Sequence, residues 1–528
     1  MKIAIEGCAH GELERIYDSI ALIEQREGVK VDLLICCGDF QSTRNLDDLK
    51  CMAVPQSYQH MCTFYKYYSG EKVAPLLTIF VGGNHEASNY LQELSYGGWV
   101  APNIYYLGNA GVINIAGIRI AGISGIYKGH DYNKGRFELA PYDNSTKRSV
   151  YHIRNIDVFR LKQLSNKIDI FLSHDWPRGV YNHGDAKQLL RHKPFFREEV
   201  ESNNLGSPPC EDLLYHLKPK YWFAAHLHTK FAAVVPHKST DDSDDSVSES
   251  TKFLALDKCL PQRRFLQILD IQHDSSKTID IEYDLEWLTI LHLTNHLLSV
   301  KEGLNYMPGK GSPQRWVFTP TQEECDLIYQ KLGKNLKVPL NFKQTVVPYN
   351  PNSPRKSNGM PMAQVNDQTI AICNNLNIDD PVALLLMYNN GRINLCNSRQ
   401  HDLTNSFSDV SNSFNESLLD NSTKDDVPQI NIQRSSLSLP LPKSEEINLS
   451  SENLEEIDLL DSDDFYLNSN NKRVSPTMQD DKPVEANIKD IDVIIELENK
   501  KSVPIITSAK KFKRRNEQIY TSLTEDVY

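Results

Sequence analysis

The sequence contains ten cysteines but no Cys-x-x-Cys pair, the spacing that indicates zinc ribbons and dithiol redox sites. Cys36 and Cys37 are neighbours at the end of an apolar run, and the other cysteines are scattered. No secretory signal peptide precedes the first apolar run, so we expect reduced thiols in a reducing compartment. The cysteine pattern therefore argues against a disulfide-stabilised secreted fold.

Long apolar runs and excess positive charge are also lacking. No apolar run approaches the roughly 18 residues that a membrane-spanning helix needs, so we expect a soluble protein with no membrane partner. Residues 1–400 contain 44 acidic and 43 basic side chains, whereas residues 401–528 contain 25 acidic and 14 basic ones. The net charge of −12 thus lies almost entirely in the last quarter of the chain. Any affinity for nucleic acid must come from a local basic patch.

Five short apolar runs are each followed by side chains that can bind a metal ion. Short apolar runs bounded by glycine or polar residues are typical of buried strands. Side chains that follow such strands meet at one rim of a sheet, where active sites of α/β proteins commonly lie, so we expect a single site there. The runs and the side chains that follow them are residues 3–5 with Cys8 and His10, residues 33–35 with Asp39, residues 77–81 with Asn84 and His85, residues 170–172 with His174, and residues 221–224 with His226 and His228.

These residue types indicate two transition ions. Imidazole binds Zn, Fe, Mn and Ni, and a thiolate at Cys8 favours Zn or Fe(II) over Mg or Mn. The candidate ligands exceed the four that one zinc ion takes, and Asp39 is the one carboxylate that can bridge two ions. On an extended segment, His226 and His228 would point the same way. Two alternatives stay open: individual histidines are structural, or Cys8 only packs and the site holds a single metal.

The order of these motifs resembles that of the calcineurin-like metallophosphoesterases. That superfamily carries Asp-x-His, Gly-Asp, Gly-Asn-His-Asp/Glu, a separate His and Gly-His-x-His along the chain. The sequence matches each segment with two departures, because Cys8 stands in place of the usual Asp and Ala225 in place of the usual Gly. The resemblance implies an α/β (α+β) fold in which a two-sheet β-sandwich is flanked by helices.

The residues around the motifs are similar to those of the RNA lariat debranching enzyme family. The resemblance is close over residues 1 to about 270 and looser beyond. The segments that carry it are the Cys8 variant, Gly-Asn-His-Glu-Ala-Ser-Asn-Tyr from residue 83, Tyr-Gly-Gly-Trp-Val-Ala-Pro-Asn-Ile-Tyr-Tyr-Leu-Gly from residue 96, and Ser-His-Asp-Trp-Pro from residue 173.

This resemblance implies roles for individual residues. His85 would lie over the reacting phosphate as an electrostatic clamp or proton donor, and the alternative is a hydrogen-bonded loop residue. The implied ions are Fe2+ and Zn2+, with Mn2+ able to substitute. The implied ligand sets are Cys8, His10, Asp39 and His228 for one ion, and Asp39, Asn84, His174 and His226 for the other.

The implied activity is hydrolysis of the 2′–5′ phosphodiester at the branch point of excised intron lariat RNA by a metal-activated hydroxide. Two ions roughly 3.5–4 Å apart can stabilise both the attacking and the leaving oxygen of such a displacement. One alternative is a general metallophosphoesterase that acts on another phosphodiester or on a phosphoprotein. A phosphomonoesterase would be helped by an arginine-rich pocket, and only Arg178 lies near a motif. The other alternative is a catalytically inactive scaffold.

Nothing in the metal ligands selects a 2′–5′ over a 3′–5′ linkage, so selection is expected from residues 124–154. Basic and aromatic side chains alternate there with glycine and asparagine, which suits phosphate contacts and base stacking on single-stranded RNA. The matching segment of debranching enzymes is a lariat recognition loop, and the alternative is an ordinary solvated loop. The candidate RNA contacts are Lys128, His130, Tyr132, Lys134, Arg136, Arg148 and Arg154.

The chain divides into three predicted regions. Residues 1–275 would form the catalytic domain, with a helix face at Leu13, Ile16, Ile20 and Ile23, a polar loop at residues 240–246 and a closing strand at residues 265–271. Residues 276–398 would form a small, mainly helical C-terminal domain, and the sequence leaves open whether it contacts RNA. Residues 399–528 are acidic and polar, which is typical of a disordered tail.

A basic cluster at residues 510–515 of this tail predicts a nuclear localisation signal, with an RNA-contacting patch as the alternative. A nuclear location, with shuttling to the cytoplasm, agrees with a substrate made by splicing. The tail would then bind splicing or nuclear import factors.

Overall fold

The computed structural model of the chain describes residues 1–237, 249–352, 357 and 359–389. The polar loop predicted at residues 240–246, the tail and its basic cluster lie outside the described residues. Within them, no single helix is both long and apolar enough to cross a membrane. One pair of helices, Asp367–Leu376 and Pro381–Asn389, meets the length and composition test together, but it is bent by 100°.

Six strands form the first sheet, and four of them run parallel to one another. The two edge strands, β12 and β4 in the list below, are antiparallel to their neighbours. The edge strand at Leu266–Asp270 confirms the predicted closing strand. In spatial order the strands are β12 (Leu266–Asp270), β1 (Lys2–Glu6), β2 (Leu33–Cys36), β3 (Leu77–Phe80), β5 (Ile104–Tyr106) and β4 (Gly98–Ala101).

Seven strands form the second sheet, which has a central parallel group and antiparallel edges. The last strand of this sheet comes from residues 281–283, which the sequence had placed in a helical domain. In spatial order the strands are β10 (Phe231–Pro236), β11 (Ser250–Ala255), β9 (Tyr221–Ala224), β8 (Ile170–Ser173), β7 (Ile118–Ile123), β6 (Ala110–Ile115) and β13 (Ile281–Tyr283).

Helices cover the outer faces of the two sheets. The first helix buries Leu13, Ile16 and Ile20 as its spacing predicted, while Ile23 is only half-buried. The helices are α1 (Leu13–Glu27), α2 (Phe64–Ser69), α3 (Ser88–Glu93), α4 (Gly129–Tyr132), α5 (Thr146–Ser149), α6 (Asn155–Leu161), α7 (Ala186–His192), α8 (Arg197–Glu201), α9 (Pro208–Leu217), α10 (Leu285–Leu293), α11 (Gln322–Lys331), α12 (Asp367–Leu376) and α13 (Pro381–Asn389). Short 3₁₀ helices lie at Asp48–Cys51, Gln56–Tyr58, Val180–His183, Pro194–Phe196 and Asn295–Leu297.

The buried apolar side chains form three main layers. Ile5 and Ile79 of the first sheet pack with Leu172 of the second in the space between the sheets. A second layer joins the outer face of the first sheet to α1 and α2, and a third joins the outer face of the second sheet to α6, α9 and α10. Burial of this apolar surface is the main driving force that holds the sandwich together. The result is a helix–sheet–sheet–helix arrangement.

Residues 281–389 share the third layer with the catalytic sheets. Trp287 of α10 and Leu376 of α12 lie in the same buried cluster as Trp222 of β9. Arg119 of β7 forms buried ion pairs with Asp284 and Glu286, at 2.7 and 2.6 Å. All the described residues belong to one compact unit.

Candidate metal centre

The predicted ligands follow five strands, but these strands belong to two sheets. The prediction of one rim of one sheet is therefore wrong. β1, β2 and β3 of the first sheet lead to Cys8, His10, Asp39 and Asn84, and β8 and β9 of the second sheet lead to the remaining histidines. The two sheets face each other across a shared apolar layer, so the carboxyl ends of all five strands meet at one end of the sandwich.

The backbone at several of these residues is left-handed, which is uncommon for residues other than glycine. The φ angle is 45° at His10, 46° at Asp39, 65° at His226 and 46° at His228. The expectation that His226 and His228 lie on an extended segment is therefore wrong, because the chain turns sharply after β9. Such backbone conformations cost free energy and concentrate at functional sites, where the surrounding structure holds them in place.

The first predicted ligand set forms one tight group. The donor atoms of Cys8, His10, Asp39 and His228 all lie within 4.8 Å of one another. His10 Nε2 is 3.4 Å from His228 Nε2 and 3.7 Å from Asp39 Oδ2. Two nitrogens that bind one tetrahedral ion at about 2.0–2.1 Å would be roughly 3.3 Å apart. The observed separation therefore fits a shared ion at this position.

The second predicted set lies on the other side of Asp39. His174 Nε2 is 3.2 Å from Asp39 Oδ1 and 3.2 Å from Asn84 Oδ1. The rings of His174 and His226 are 4.9 Å apart, between their centroids. The carboxylate of Asp39 thus presents Oδ2 to the first group and Oδ1 to the second, the arrangement that a bridging ligand requires.

Burial and nearby charges shift the pKa values of the candidate ligands in both directions. Although burial acts to lower it, Asp39 raises the pKa of His174. Burial lowers the pKa of His10 to about 4 and that of His226 to about 3, so both imidazoles are neutral near pH 7 and can act as ligands. Although burial acts to raise it, His174 and His85 hold the pKa of Asp39 well below its usual value. Burial, with the charges of Asp39 and Glu6, raises the pKa of the Cys8 thiol. A bound cation is what would convert this thiol to a thiolate.

Hydrogen bonds to the ligands fix their orientation. His174 Nδ1 lies 2.8 Å from the Cys37 carbonyl oxygen, which leaves Nε2 to face Asp39 and Asn84. The backbone N–H of His226 donates to Cys8 Sγ at 3.2 Å. Contacts of this kind set the tautomer and direction of a metal ligand.

His85 lies at the edge of the group and is 24% exposed at its side chain. Its Nδ1 is 3.7 Å from Asp39 Oδ2, and its ring centroid is 5.3 Å from that of His10. Its backbone N–H donates to Asp39 Oδ1 at 2.8 Å, which anchors the loop while the ring stays open to solvent. The imidazole therefore lies beside the first ligand group, with part of its ring accessible to solvent.

Glu86 is a buried residue of the centre whose role the sequence analysis missed. Its carboxylate accepts the backbone N–H groups of Phe40, Gln41 and Gly83 at 2.7–2.9 Å, and so it joins the loop of Asp39 to the loop of Asn84. Burial and the nearby Asp39 raise its pKa to about 7. The signal in the sequence was an acidic residue directly after the Asn-His pair.

A glycine permits the two loops to approach each other. A Cβ atom at Gly83 would lie 2.2 Å from Asp39 Oδ1 and 2.8 Å from His174 Cε1. No side chain fits at that distance, so Gly83 is a steric requirement of the centre.

The predicted recognition segment, residues 124–154, begins beside the centre. The backbone N–H of Tyr127 donates to the carboxylate of Asp175 at 3.2 Å, and Asp175 follows His174 directly. His130 is largely exposed at its side chain, whereas Lys128, Tyr132 and Lys134 are partly exposed. Lys134 Nζ lies 3.0 Å from the Asp131 carboxylate.

Arg136 and Arg154 do not present their charges to solvent. Arg136 pairs with Asp157, and Arg154 is fully buried beside Glu138. Arg154 therefore holds the segment's own fold, and Arg136 joins the segment to α6. The side chain of Arg148 is partly exposed, and its Nη1 lies 3.4 Å from the Asn144 carbonyl oxygen. Outside the segment, Arg178 pairs with Glu211 at 2.8 Å and is not directed at the metal centre.

The sandwich and the two ligand groups define a metallophosphoesterase. Residues 1–230 match the calcineurin-like phosphoesterase family, which confirms the expected fold class. Residues 248–381 match the family described as the lariat debranching enzyme C-terminal domain.

Similar proteins define the family more narrowly. The chain is 47% identical to the lariat debranching enzyme of Drosophila melanogaster over 98% of this chain and 99% of that protein. It is 56% identical to the lariat debranching enzyme of Drosophila pseudoobscura pseudoobscura over 74% of this chain and 79% of that protein. It is 57% identical to the lariat debranching enzyme of Homo sapiens over 72% of this chain and 70% of that protein. The chain belongs to the lariat debranching enzyme family.

Proposed function

We propose that the protein hydrolyses the 2′–5′ phosphodiester at the branch point of intron lariat RNA and thereby linearises it. The observation that carries this proposal is the pair of ligand groups on either side of Asp39, with the partly exposed ring of His85 beside them, 3.7 Å from Asp39 Oδ2. Similarity to debranching enzymes along nearly the whole chain supports the choice of substrate.

Two divalent ions fit the donor atoms of the centre. One would take Cys8, His10, Asp39 and His228, and the other Asp39, Asn84, His174 and His226. The soft sulfur of Cys8 favours Fe2+ or Zn2+ in the first position, and Mn2+ is expected to substitute. When bound, such ions supply Lewis-acid charge to the phosphate and lower the pKa of a water molecule.

The side chains of the protein would position and protonate the substrate. Asp39 would contribute one carboxylate oxygen to each ligand group and so hold the two groups side by side. His85 would donate a hydrogen bond to a phosphate oxygen or a proton to the leaving 2′ oxygen. A water oxygen attacks the phosphorus, the bond from phosphorus to the 2′ oxygen breaks, and a 5′ phosphate remains on the released strand.

Selection of the branch would come from the recognition segment. Lys128, His130, Tyr132, Lys134 and Arg148 have side chains that are at least partly exposed, and cations and aromatic rings of this kind bind phosphates and stack on unpaired bases. Arg136 and Arg154 would instead support the shape of the segment through their buried ion pairs.

Anaerobic turnover of a synthetic 2′–5′ branched RNA beside its 3′–5′ linear isomer tests this function. Fe(II), Zn(II) and Mn(II) would each be added to the metal-free protein. We expect cleavage at the branch alone, abolished by His85→Ala at unchanged metal content. Cleavage of both linkages would show that the protein is a general phosphodiesterase. The absence of cleavage with any of the metals would favour an inactive scaffold.

We also propose a nuclear location, with shuttling to the cytoplasm, in which residues 510–515 bind import factors. The basic composition of this cluster and a substrate made by splicing support it. Deletion of the six residues from a tagged protein should move the signal from the nucleus to the cytoplasm. An unchanged nuclear signal would overturn the proposal.

A further inference from the structure

The segment between Leu297 and α11 has no regular secondary structure and runs along the recognition segment. Irregular loops longer than roughly 12–15 residues are uncommon in compact proteins, and where they occur they are either functional or linker segments. Residues 299–310 form what we call the arm. The backbone N–H of Arg136 donates to the Ser299 carbonyl oxygen at 2.9 Å, and that of Asn305 donates to the Asn133 carbonyl oxygen at 2.7 Å. Leu304 also pairs with Lys134 in an antiparallel bridge.

Further contacts fix the arm in this position. Asn155 Nδ2 donates to the Asn305 carbonyl oxygen at 2.7 Å and to Asn133 Oδ1 at 3.1 Å. The side chain of Asn155 thus joins the arm to the recognition segment. Gly135 permits their close approach, because a Cβ atom there would lie 2.4 Å from the Lys301 carbonyl oxygen. The arm and the recognition segment thus form one continuous surface.

The arm presents apolar groups to solvent that folding did not bury. Leu304 is 66% exposed and Tyr306 is 67% exposed. No hydrogen bond ties the Tyr306 side chain to any residue that the structure describes. Lys301 and Lys310, on either side of this pair, are also exposed. An exposed aromatic ring between cations is the combination that binds an unpaired base together with its phosphates.

The arm is close enough to the metal centre to meet the same RNA. The recognition segment leaves the centre at Tyr127, and the arm is paired with residues 133–136 of that segment. A fully extended chain from Tyr127 to Lys134 would span at most about 25 Å. The actual distance is shorter, because α4 lies between these residues and a helix is more compact than an extended chain. Nucleotides that flank the branch would therefore reach Tyr306 while the branch lies at the centre.

We propose that the arm is a stacking site for single-stranded RNA next to the branch, with Tyr306 as the platform and Lys301 and Lys310 as phosphate contacts. This inference rests on the proposed debranching function and extends the RNA-binding surface into the C-terminal region. Tyr306 acts in substrate binding and not in the chemical step, because its side chain belongs to neither ligand group of the centre.

Kinetics on two substrates test the inference. The wild type, Tyr306→Ala and Tyr306→Phe would be compared on a branched RNA with long arms and on a minimal branched trinucleotide. We expect Tyr306→Ala to raise KM for the long substrate about fivefold or more, the factor that follows from the loss of one stacked base. The kcat value and the kinetics on the trinucleotide should stay unchanged, and Tyr306→Phe, which keeps the ring, should behave as the wild type.

The matched control is Tyr215→Ala, which removes another exposed tyrosine, on α9. It should leave both substrates unaffected. Equal KM values for Tyr306→Ala and wild type on the long substrate would overturn the stacking site, as would an equal loss on both substrates. Failure of the wild type to cleave either branched substrate would instead refute the proposed debranching function, so the two failures are distinguishable.

Discussion

At the residue scale, the candidate ligands lie on loops whose backbone is left-handed at four of the positions, His10, Asp39, His226 and His228. Each candidate ligand follows a short apolar run, and such runs place polar side chains at strand ends. His226 and His228 show the limit of this argument. Their left-handed backbone is not visible in their local spacing. Residues in such conformations are where local expectations fail most often.

Cys8 is the ligand whose role can be tested most simply. Cys8→Ala should remove about half of the bound metal, because Cys8 is a ligand of only one of the two proposed metal ions. Metal content would be measured by mass spectrometry after anaerobic loading with Fe(II) and Zn(II). The control is Cys210→Ala, a buried cysteine on α9 outside the centre. Unchanged metal content in the Cys8 variant would show that this side chain only packs.

Gly83 sets how closely the two ligand loops can approach. Gly83→Ala should abolish turnover and weaken metal binding, because the new methyl group would overlap Asp39 Oδ1 and press on His174. Turnover and metal affinity would be compared with those of the wild type. Full activity of the Gly83 variant would contradict the close approach of these loops.

At the element scale, five strands were predictable, but their division between two sheets was not. The ligand-bearing strands are short and buried, and nothing in their composition tells which neighbour each one pairs with. Pairing is decided by contacts between residues far apart in the chain. β13 illustrates this, because three residues in a region with a helical pattern complete the second sheet beside β6.

The recognition segment combines surface side chains with buried ones, and only the former should bind RNA. Lys134→Ala with Arg148→Ala should raise KM for branched RNA while turnover of a small chromogenic phosphodiester stays unchanged. Arg26→Ala, an exposed arginine on α1, is the control for charge removal. Equal losses on both substrates would argue against a recognition role.

At the scale of the whole molecule, the C-terminal residues are part of the structure that carries the centre. Arg44 is fully buried and pairs with Asp48 and Glu93, and its Nη1 also donates to Thr345 Oγ1 at 2.7 Å. Asn366 Nδ2 donates to Glu93 as well, at 3.2 Å. These contacts join α3, which follows the Asn84 loop, to residues near the end of the described chain.

Truncation tests this interdependence. A chain that ends at residue 275 should fail to fold into a soluble monomer, because it exposes the third apolar layer and removes both carboxylate partners of Arg119, Asp284 and Glu286. A chain that ends at residue 389 keeps every element described above and should melt at the temperature of the full chain. Circular dichroism and thermal denaturation would compare the two. Cooperative unfolding of residues 1–275 alone would contradict this expectation.

The debranching chemistry is tested most directly by the fate of the attacking oxygen. Branched RNA would be cleaved in water enriched in ¹⁸O, and both products would be analysed by mass spectrometry. We predict one ¹⁸O atom in a 5′ phosphate on the released strand and a free, unlabelled 2′ hydroxyl on the branch nucleotide. A phosphate left on the 2′ oxygen, or label at a 3′–5′ linkage, would contradict hydrolysis of the branch by this centre.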